Sequence, residues 1–278
     1  MFKFIKIAVI LFSSMHLLGQ KEIASLPDEL DEASALLSVD GLFISLNDSG
    51  NKPLLYVFDK KGVLVNKCKV KNAENIDWEA LAYDGEDRIF IGDFGNNKNK
   101  RKDLGIYSVS KTEVLNNKQT QASYLTFSYP DQNAFPPEDS LLYFDTEGLV
   151  FHIDSLFIFT KNRTVPFDGI SKVYGISVNE NNQIAKPYPN IHLKATSWLE
   201  ESVTDAFLAE NLLFLLTYSK VYIFWFKSSS NIELIEEINL AQVTQKEGIC
   251  FTNDTLFFVD EKSKFGKQKL YKLKYQND

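Results

Sequence analysis

An acidic residue repeatedly opens a short apolar run, and this repeat is the first feature of the sequence with chemical meaning. A carboxylate, a small residue and an apolar run occur together five times, at Glu32, Glu79, Glu147, Asp205 and Glu247. Carboxylates that converge on one place repel one another unless a cation, a nearby Lys or Arg, or protonation compensates their charge. Oxygen ligands without clustered His or Cys favour Ca²⁺ over zinc or copper. The repeat therefore suggests a calcium site, provided that the fold gathers the acids.

The segments around each acid are predicted to be β-strands. After Glu79 come the apolar run ALAY, the turn DGED, the run RIFIG and a third run that contains Tyr107. These runs are too short for helices, turn-forming Gly, Asp and Asn separate them, and β-branched and aromatic residues fill them. Each copy of the repeat has a turn and a second strand after its acid, and then a third strand with a tyrosine.

Repeated four-strand units predict a five-bladed β-propeller that forms a single domain over 21–278. The last copy supplies only three strands, so the isolated strand at 21–27 is expected to complete it and to close the ring. A six-bladed ring is the alternative if the long interval between Glu79 and Glu147 contains a degenerate copy.

The propeller fold predicts which residues meet. The first strand of a blade lines the axial channel and the second runs antiparallel to it, so the start of one and the end of the other share a face. The repeated acids should therefore surround one channel mouth. The residues that end the second strands should join them there, and these are Asn47, Asp48, Asp93, Asn96, Lys161, Arg163, Tyr218, Asp260 and Glu261. Loops on a rigid scaffold are frequent ligand sites.

A structural role for the acids is the alternative. A carboxylate at the start of an inner strand can accept hydrogen bonds from backbone N–H groups of the neighbouring blade and hold the blades together. Glu32 and Asp205 fit the repeat least well, which leaves Glu79, Glu147 and Glu247 as the better site candidates. Lys161 and Arg163 could contact a phosphate or carboxylate, or lie in a solvated loop, and Trp78 is expected to pack between blades.

Composition and the N-terminal segment predict an exported protein. Residues 1–20 contain two lysines and an apolar core, which is typical of a secretory signal peptide, so a secreted or periplasmic location is expected. The net charge of −7 argues against nucleic acid as a partner, and no later stretch is apolar enough to insert into a membrane. A monomer is expected.

Cys68 and Cys250 could pair after export, but their places on an outermost and an innermost strand favour two free thiols.

Several segments resemble a known group of proteins. NIDWEALAYDGEDRIFIGDFGNNKNKR, EGLVF, FIFTKNR, VTDAF and QKEGICF look like the secreted bacterial β-propellers described as phytase-like or esterase-like. The resemblance covers nearly the whole chain after the signal segment. It implies a channel-mouth site formed by Asp77, Glu79, Asp93, Asn96, Glu147, Lys161, Tyr218 and Glu247. The acid-rich run and Asp-Pro pair of the calcium-dependent phytase propellers are missing, which argues against phytate as the substrate.

The sequence thus predicts an exported β-propeller that binds a small polar or anionic ligand, with Ca²⁺, at one channel mouth. Glu79, Asp93, Glu147 and Glu247 are the predicted metal ligands, and Asp77, Asn96, Lys161, Arg163 and Tyr218 the predicted ligand-binding residues. Metal-dependent hydrolysis of an ester or phosphoester is the activity this suggests. The alternative is a non-catalytic recognition module with structural acids. His152 and His192 have no Ser or Cys at the spacing of a catalytic triad, and nothing singles out the two carboxylates of a glycosidase.

Overall fold

A computed structural model describes residues 19–264 and 266–275 and contains five sheets arranged as a five-bladed β-propeller. The predicted fold class is therefore confirmed. Residues 1–18, which hold most of the predicted signal peptide, lie outside the described residues.

Each blade is an antiparallel sheet whose first strand lies next to the axis. After the N-terminal strand β1 (Lys21–Ser25), blade one consists of β2 (Leu37–Val39), β3 (Leu42–Ser45), β4 (Leu54–Phe58) and β5 (Leu64–Lys71). Blade two consists of β6 (Trp78–Tyr83), β7 (Arg88–Asp93) and β8 (Gly105–Ser110), then α1 (Lys111–Asn116), β9 (Gln119–Gln121) and β10 (Ser123–Ser128).

The remaining blades follow the same order. A 3₁₀ turn (Asp139–Leu141) leads into blade three, with β11 (Asp145–His152), β12 (Ser155–Lys161), β13 (Ile170–Ser177), β14 (Gln183–Ile184) and β15 (Lys186–His192). The short helix α2 (Trp198–Glu201) precedes blade four, with β16 (Val203–Ala209), β17 (Leu212–Thr217), β18 (Lys220–Ser228) and β19 (Asn231–Asn239). Blade five contains β20 (Lys246–Thr252), β21 (Thr255–Asp260) and β22 (Lys269–Lys274).

The N-terminal strand closes the ring. β1 pairs antiparallel with β22, and Glu22 lies opposite Tyr271, so the first described strand completes the last blade as the sequence predicts. The long interval between Glu79 and Glu147 holds α1, β9 and the 3₁₀ turn between regular strands, and no sixth blade occurs in the described ranges.

Two edge strands come from the following blade, which the sequence did not indicate. β9 pairs parallel with β5, and β14 pairs parallel with β10, so the outer edges of blades one and two are each covered by a segment of the next blade. The exposed edge of blade three, β15, carries Pro187 and Pro189, which cannot donate backbone hydrogen bonds to another strand.

Apolar side chains fill the spaces between blades. Trp78 is fully buried, its indole N–H donates to the carbonyl of Glu74, and its ring centroid lies 5.8 Å from that of Tyr107. The predicted packing role of Trp78 is therefore confirmed. Cys68 and Cys250 are buried free thiols, as expected. No helix of the described ranges is long and apolar enough to cross a membrane.

Glycine allows blades five and one to approach closely at the axis. A Cβ atom on Gly248 would lie 2.7 Å from the backbone carbonyl carbon of Ala35 and 2.8 Å from the backbone nitrogen of Leu36. Both contacts are to backbone, which cannot move aside as a flexible side chain can. Gly248 therefore sets the spacing between these two inner strands.

We predict that Gly248→Ala lowers the free energy of unfolding by about 1–3 kcal/mol, because the added methyl group overpacks this interface. Urea denaturation should show a lower midpoint with an unchanged slope. Gly266→Ala is the matched control, because a Cβ there meets nothing within 4 Å. Equal midpoints for wild type and Gly248→Ala would contradict the prediction.

Candidate functional site

A polar pocket of about 270 Å³ occupies the channel mouth where the inner strands begin. Residues from all five blades line it, namely Glu32, Ala33, Ser34, Asp48, Glu79, Asn97, Glu147, Lys161, Arg163, Tyr218, Gln245, Glu247 and Glu261. Four of the five repeated acids are in this set. Of the nine predicted site residues, Glu79, Glu147, Glu247, Lys161, Arg163 and Tyr218 line the pocket.

A β-bulge at the start of the inner strand aims the acids into the pocket. The pairing of β6 with β7 shifts between Trp78 and Ala80, which leaves Glu79 as the extra residue. The same shift leaves Glu147 extra in β11 and Glu247 extra in β20. Bulges commonly redirect a side chain next to a functional site. Here they give equivalent positions in three blades to three buried carboxylates.

Blade four departs from this pattern. The structure therefore corrects the expectation that Asp205 is equivalent to the other repeated acids. The shift in β16 falls between Val203 and Asp205, so the extra residue is Thr204. Asp205 lies one position later, and its carboxylate accepts hydrogen bonds of 2.8 Å from the backbone N–H groups of Ala206 and, in blade five, Ile249. Asp205 therefore has the structural role considered as the alternative for the repeated acids.

Three carboxylates lie close enough to share a cation. One oxygen each of Asp48, Asp77 and Glu79 lies within 4.8 Å of the other two. Calcium binds oxygen ligands at about 2.3–2.6 Å, so ligands on opposite sides of one ion are up to about 5 Å apart. The donor set consists of carboxylates alone, which suits a hard cation.

Gly95 provides the space that this cluster occupies. A Cβ atom on Gly95 would lie 2.5 Å from Oε1 of Glu79 and 2.7 Å from Oδ2 of Asp77. The Gly95 N–H also donates to the carbonyl of Asp77 at 3.1 Å, which fixes the loop against the cluster. Any larger residue at this position would displace one of the two carboxylates.

The electrostatics of the cluster show uncompensated negative charge. Burial, followed by the charges of Asp48 and Asp145, raises the pKa of Asp77 to about 7. Burial and the charges of Glu147 and Asp48 hold the pKa of Glu79 well above its usual range. The pKa of Asp48 is also raised, chiefly by burial. Close carboxylates of this kind must share protons or a cation.

The part of the pocket formed by blade three carries positive charge. Nζ of Lys161 lies 3.0 Å from Oε1 of Glu147 and 3.9 Å from Oε2 of Glu247. Nε of Arg163 lies 2.6 Å from Oδ2 of Asp145. Oε2 of Glu247 is buried and accepts no hydrogen bond in the described part of the chain. The pocket thus has an acidic half and a half where cations and carboxylates alternate.

Aromatic rings support the cationic half. The Arg163 guanidinium lies 5.3 Å from the ring centroid of Trp198, and the Lys161 ammonium lies 5.2 Å from that of Tyr218. Cations at these distances from aromatic faces are stabilised by the ring quadrupole. Trp198 belongs to the linker helix α2 rather than to a blade, and no repeat in the sequence pointed to it.

The other predicted site residues lie behind the pocket or beside it. Asp77 belongs to the carboxylate cluster. Asp93 pairs with Arg101 at 2.9 Å and accepts the N–H of Asp77. The side chain of Asn96 donates to the carbonyl of Phe144 and accepts the N–H groups of Lys100 and Arg101. In these contacts Asp93 and Asn96 hold the loop that supports the site, and the binding roles given to them in the sequence stay predictions.

The sequence assigned no ligand role to several pocket residues, among them Asp48, Glu261 and Ser34. Asp48 and Glu261 end second strands and were expected at the mouth, but the repeat did not single them out among the acids there. Ser34 donates its hydroxyl to Oε2 of Glu79 at 2.7 Å. One feature of the sequence could have indicated where the carboxylate cluster lies. The segment GDFGNN contains Gly95, and only glycine leaves room for the cluster at this position.

Fold and pocket together define an all-β propeller with an acidic pocket at its axis. The crystal structure of Myxococcus xanthus glutaminyl cyclase is similar, with a TM-score of 0.55 and 13% identity over 93% of this chain and 97% of that chain. The PQQ-bound aldose sugar dehydrogenase from Streptomyces coelicolor has a TM-score of 0.52 and 11% identity over 92% of this chain and 98% of that chain. At such identities the similarity shows the fold alone. No protein-family model and no curated protein sequence matches the chain.

We predict that Asp77 makes the metal-free protein less stable as the pH rises from about 4 to 7. The pKa of Asp77 is raised from 3.8 to about 7 on folding, so its contribution is fully present below pH 3.8 and is lost as the pH approaches 7. Denaturation at several pH values, with a chelator present, should give a steeper loss for wild type than for Asp77→Asn. Glu180→Gln, an exposed acid elsewhere, should keep the wild-type slope. Equal slopes in wild type and Asp77→Asn would contradict this.

Proposed function

We propose that this chain is an exported β-propeller whose axial pocket binds a small anionic ligand together with Ca²⁺. Asp48, Asp77 and Glu79 hold the ion, and Lys161 and Arg163 contact the ligand. The observation that carries the proposal is the set of three carboxylate oxygens, from Asp48, Asp77 and Glu79, that lie within 4.8 Å of one another. Asp48 and Glu79 line a pocket that also presents a lysine and an arginine. The N-terminal segment supports export, where calcium is available and sites of modest affinity are filled.

The charges in the pocket imply that the cation binds before the anion. Six carboxylates line the pocket, from Glu32, Asp48, Glu79, Glu147, Glu247 and Glu261, against the two cations Lys161 and Arg163. An anion entering this field without a metal is repelled. A bound divalent cation offsets part of this negative charge and offers the anion a direct ligand, and the anion can then bridge the ion and the Arg163 guanidinium.

The identity of the metal follows from the donor atoms. Histidine and cysteine are absent from the residues that line the pocket, which disfavours zinc and copper. The cluster is irregular and partly open, which suits the flexible coordination of Ca²⁺ better than the strict octahedron of Mg²⁺.

Hydrolysis of a phosphoester or carboxylic ester is a second candidate function, favoured by Glu261. This carboxyl lines the pocket, is half-buried and keeps an exposed face. Burial and the charges of Glu247, Asp48 and Glu32 raise its pKa to about 7, which suits a general base at neutral pH. Calcium would supply charge stabilisation for the reacting oxygen atoms. Arg163 would orient the substrate, and Glu261 would take a proton from the attacking water.

We predict that calcium stabilises the folded protein. At a free concentration about 100 times Kd, the gain is about 2.7 kcal/mol, which corresponds to a rise in Tm of about 5–10 °C in a domain of this size. Mg²⁺ should give a smaller shift. Inorganic phosphate should add a further shift only when calcium is present. Thermal unfolding monitored by circular dichroism is the measurement.

Two variants of different kinds test this cation site. Glu79→Gln removes a ligand charge, whereas Gly95→Ala leaves every charge in place and fills the space between Glu79 and Asp77. Both should abolish the calcium shift, and Glu180→Gln should retain it. A calcium shift that survives in both site variants, or no shift at millimolar calcium in wild type, would refute the proposal and favour a non-catalytic module with structural acids.

We predict calcium-dependent hydrolysis of p-nitrophenyl phosphate if the pocket is catalytic. Glu261→Gln should lower kcat by about 10²–10⁴-fold with little change in KM, because loss of a general base affects the transition state. Arg163→Gln should raise KM. Activity that is insensitive to a chelator or to Glu261→Gln would exclude this mechanism, while calcium and phosphate binding would remain to be judged by the thermal shifts.

A further inference from the structure

A second cavity lies at the opposite mouth of the channel, where the inner strands end. Its volume is about 370 Å³, and it is bordered by the ends of β2, β6, β11 and β16 and by the turns that follow them. This volume lies in the lower part of the range of small-molecule sites. The calcium proposal makes no use of this face of the ring.

The walls of this second cavity combine apolar and polar surface, and its charge is negative. Leu81, Leu149 and Phe207 contribute to the walls, and the only charged side chains among its lining residues are Asp84 and Glu210. Asp84 is paired with Arg88 at 2.8 Å, whereas Glu210 is exposed and has no ion-pair partner in the described ranges. Burial lowers the pKa of His152, another lining residue, so its imidazole carries no charge at neutral pH.

Ile153 at the rim is an apolar residue where the other blades have polar ones. In blades one, three, four and five a two-residue turn joins the first two strands, and its first residue has a positive φ, at Asp40, Ile153, Glu210 and Asn253. Asp and Asn adopt this conformation readily, but it is strained for a β-branched residue. Ile153 has a φ of +58° and is also 73% exposed. Ile153 therefore has both a strained backbone conformation and an exposed apolar side chain at the edge of the cavity.

We propose that this second mouth binds a small organic cation with an apolar body, such as an aryl or alkyl amine or a quaternary ammonium. The apolar body lies between Ile153 and the cavity walls, and the positive group lies next to Glu210. The absence of Lys and Arg among the lining residues and the aromatic surface of Phe207 favour a cation over an anion. The ring of Tyr83 already has the Lys111 ammonium 5.9 Å from its centroid. The first mouth is proposed to bind an anion together with Ca²⁺, whereas this second mouth binds an organic cation without a metal. The two proposals are independent of each other.

Titration of the protein with benzyltrimethylammonium, followed by ligand-observed NMR, tests the proposal. A Kd on the order of 0.1–1 mM is expected for a ligand of this size. Benzoate, which has the ring but the opposite charge, and tetramethylammonium, which has the charge but no ring, should both bind much more weakly.

Two rim variants locate the binding. Glu210→Gln should weaken benzyltrimethylammonium binding by about threefold to tenfold. Ile153→Asn should weaken it similarly and should raise Tm by a few degrees, because Asn suits the left-handed conformation. Glu180→Gln is the charge-matched control and should bind like wild type. An unchanged Kd in either rim variant, equal affinity for benzoate, or no binding by wild type at about 10 mM would each overturn the proposal.

Discussion

The site depends on one backbone irregularity, the bulge at the start of the inner strands. In a regular strand successive side chains point to opposite faces, so an acid in register would point into a blade interface. The extra residue breaks this alternation and turns Glu79, Glu147 and Glu247 toward the axis. In blade four the same bulge presents Thr204, whose hydroxyl donates to the carbonyl of Lys246 at 2.6 Å. The ring thus uses one geometry both for charged positions and for a neutral link between blades.

The buried acids of the chain fall into groups with different compensation. Asp205 accepts hydrogen bonds from backbone N–H groups, and Asp93, Asp145 and Glu147 form ion pairs with Arg101, Arg163 and Lys161, respectively. For Asp77 and Glu79, as for Glu261, the largest contributions to the raised pKa after burial are the charges of neighbouring acids. The pKa of Asp48 beside them is raised chiefly by burial. Burying a charge without a partner is expensive. This contrast, rather than the number of acids, makes the cluster of Asp48, Asp77 and Glu79 a candidate cation site.

The sequence predicts the ring well because a repeat is a property of the chain itself. Turn residues and apolar runs at a regular spacing imply blades, and a missing fourth strand implies closure by the other terminus. The positions of the β-bulges are not visible in the sequence in this way. In VTDAF the acid precedes a small residue and so fits the pattern, yet the residue in the bulge is Thr204, and only the strand register reveals the difference. The repeat places Asp48 at the mouth but does not show that it meets Asp77 and Glu79. Trp198 contacts Arg163 from a connecting helix, where no periodicity applies. The supporting contacts of Asp93 and Asn96 depend on tertiary partners such as Arg101 and Phe144.

The donated strands have a consequence for how the ring can open. β9, from the blade-two segment, pairs with the edge of blade one, and β14, from the blade-three segment, pairs with the edge of blade two. The N-terminal strand β1 pairs with blade five. Among the described strands, none is exchanged across either side of blade four. Parting blades three and four therefore breaks no strand pairing and disturbs mainly side-chain packing. Blade four therefore keeps its place through side-chain packing and through hydrogen bonds to its neighbours, such as the bond from the Ile249 N–H to Asp205, rather than through shared strands.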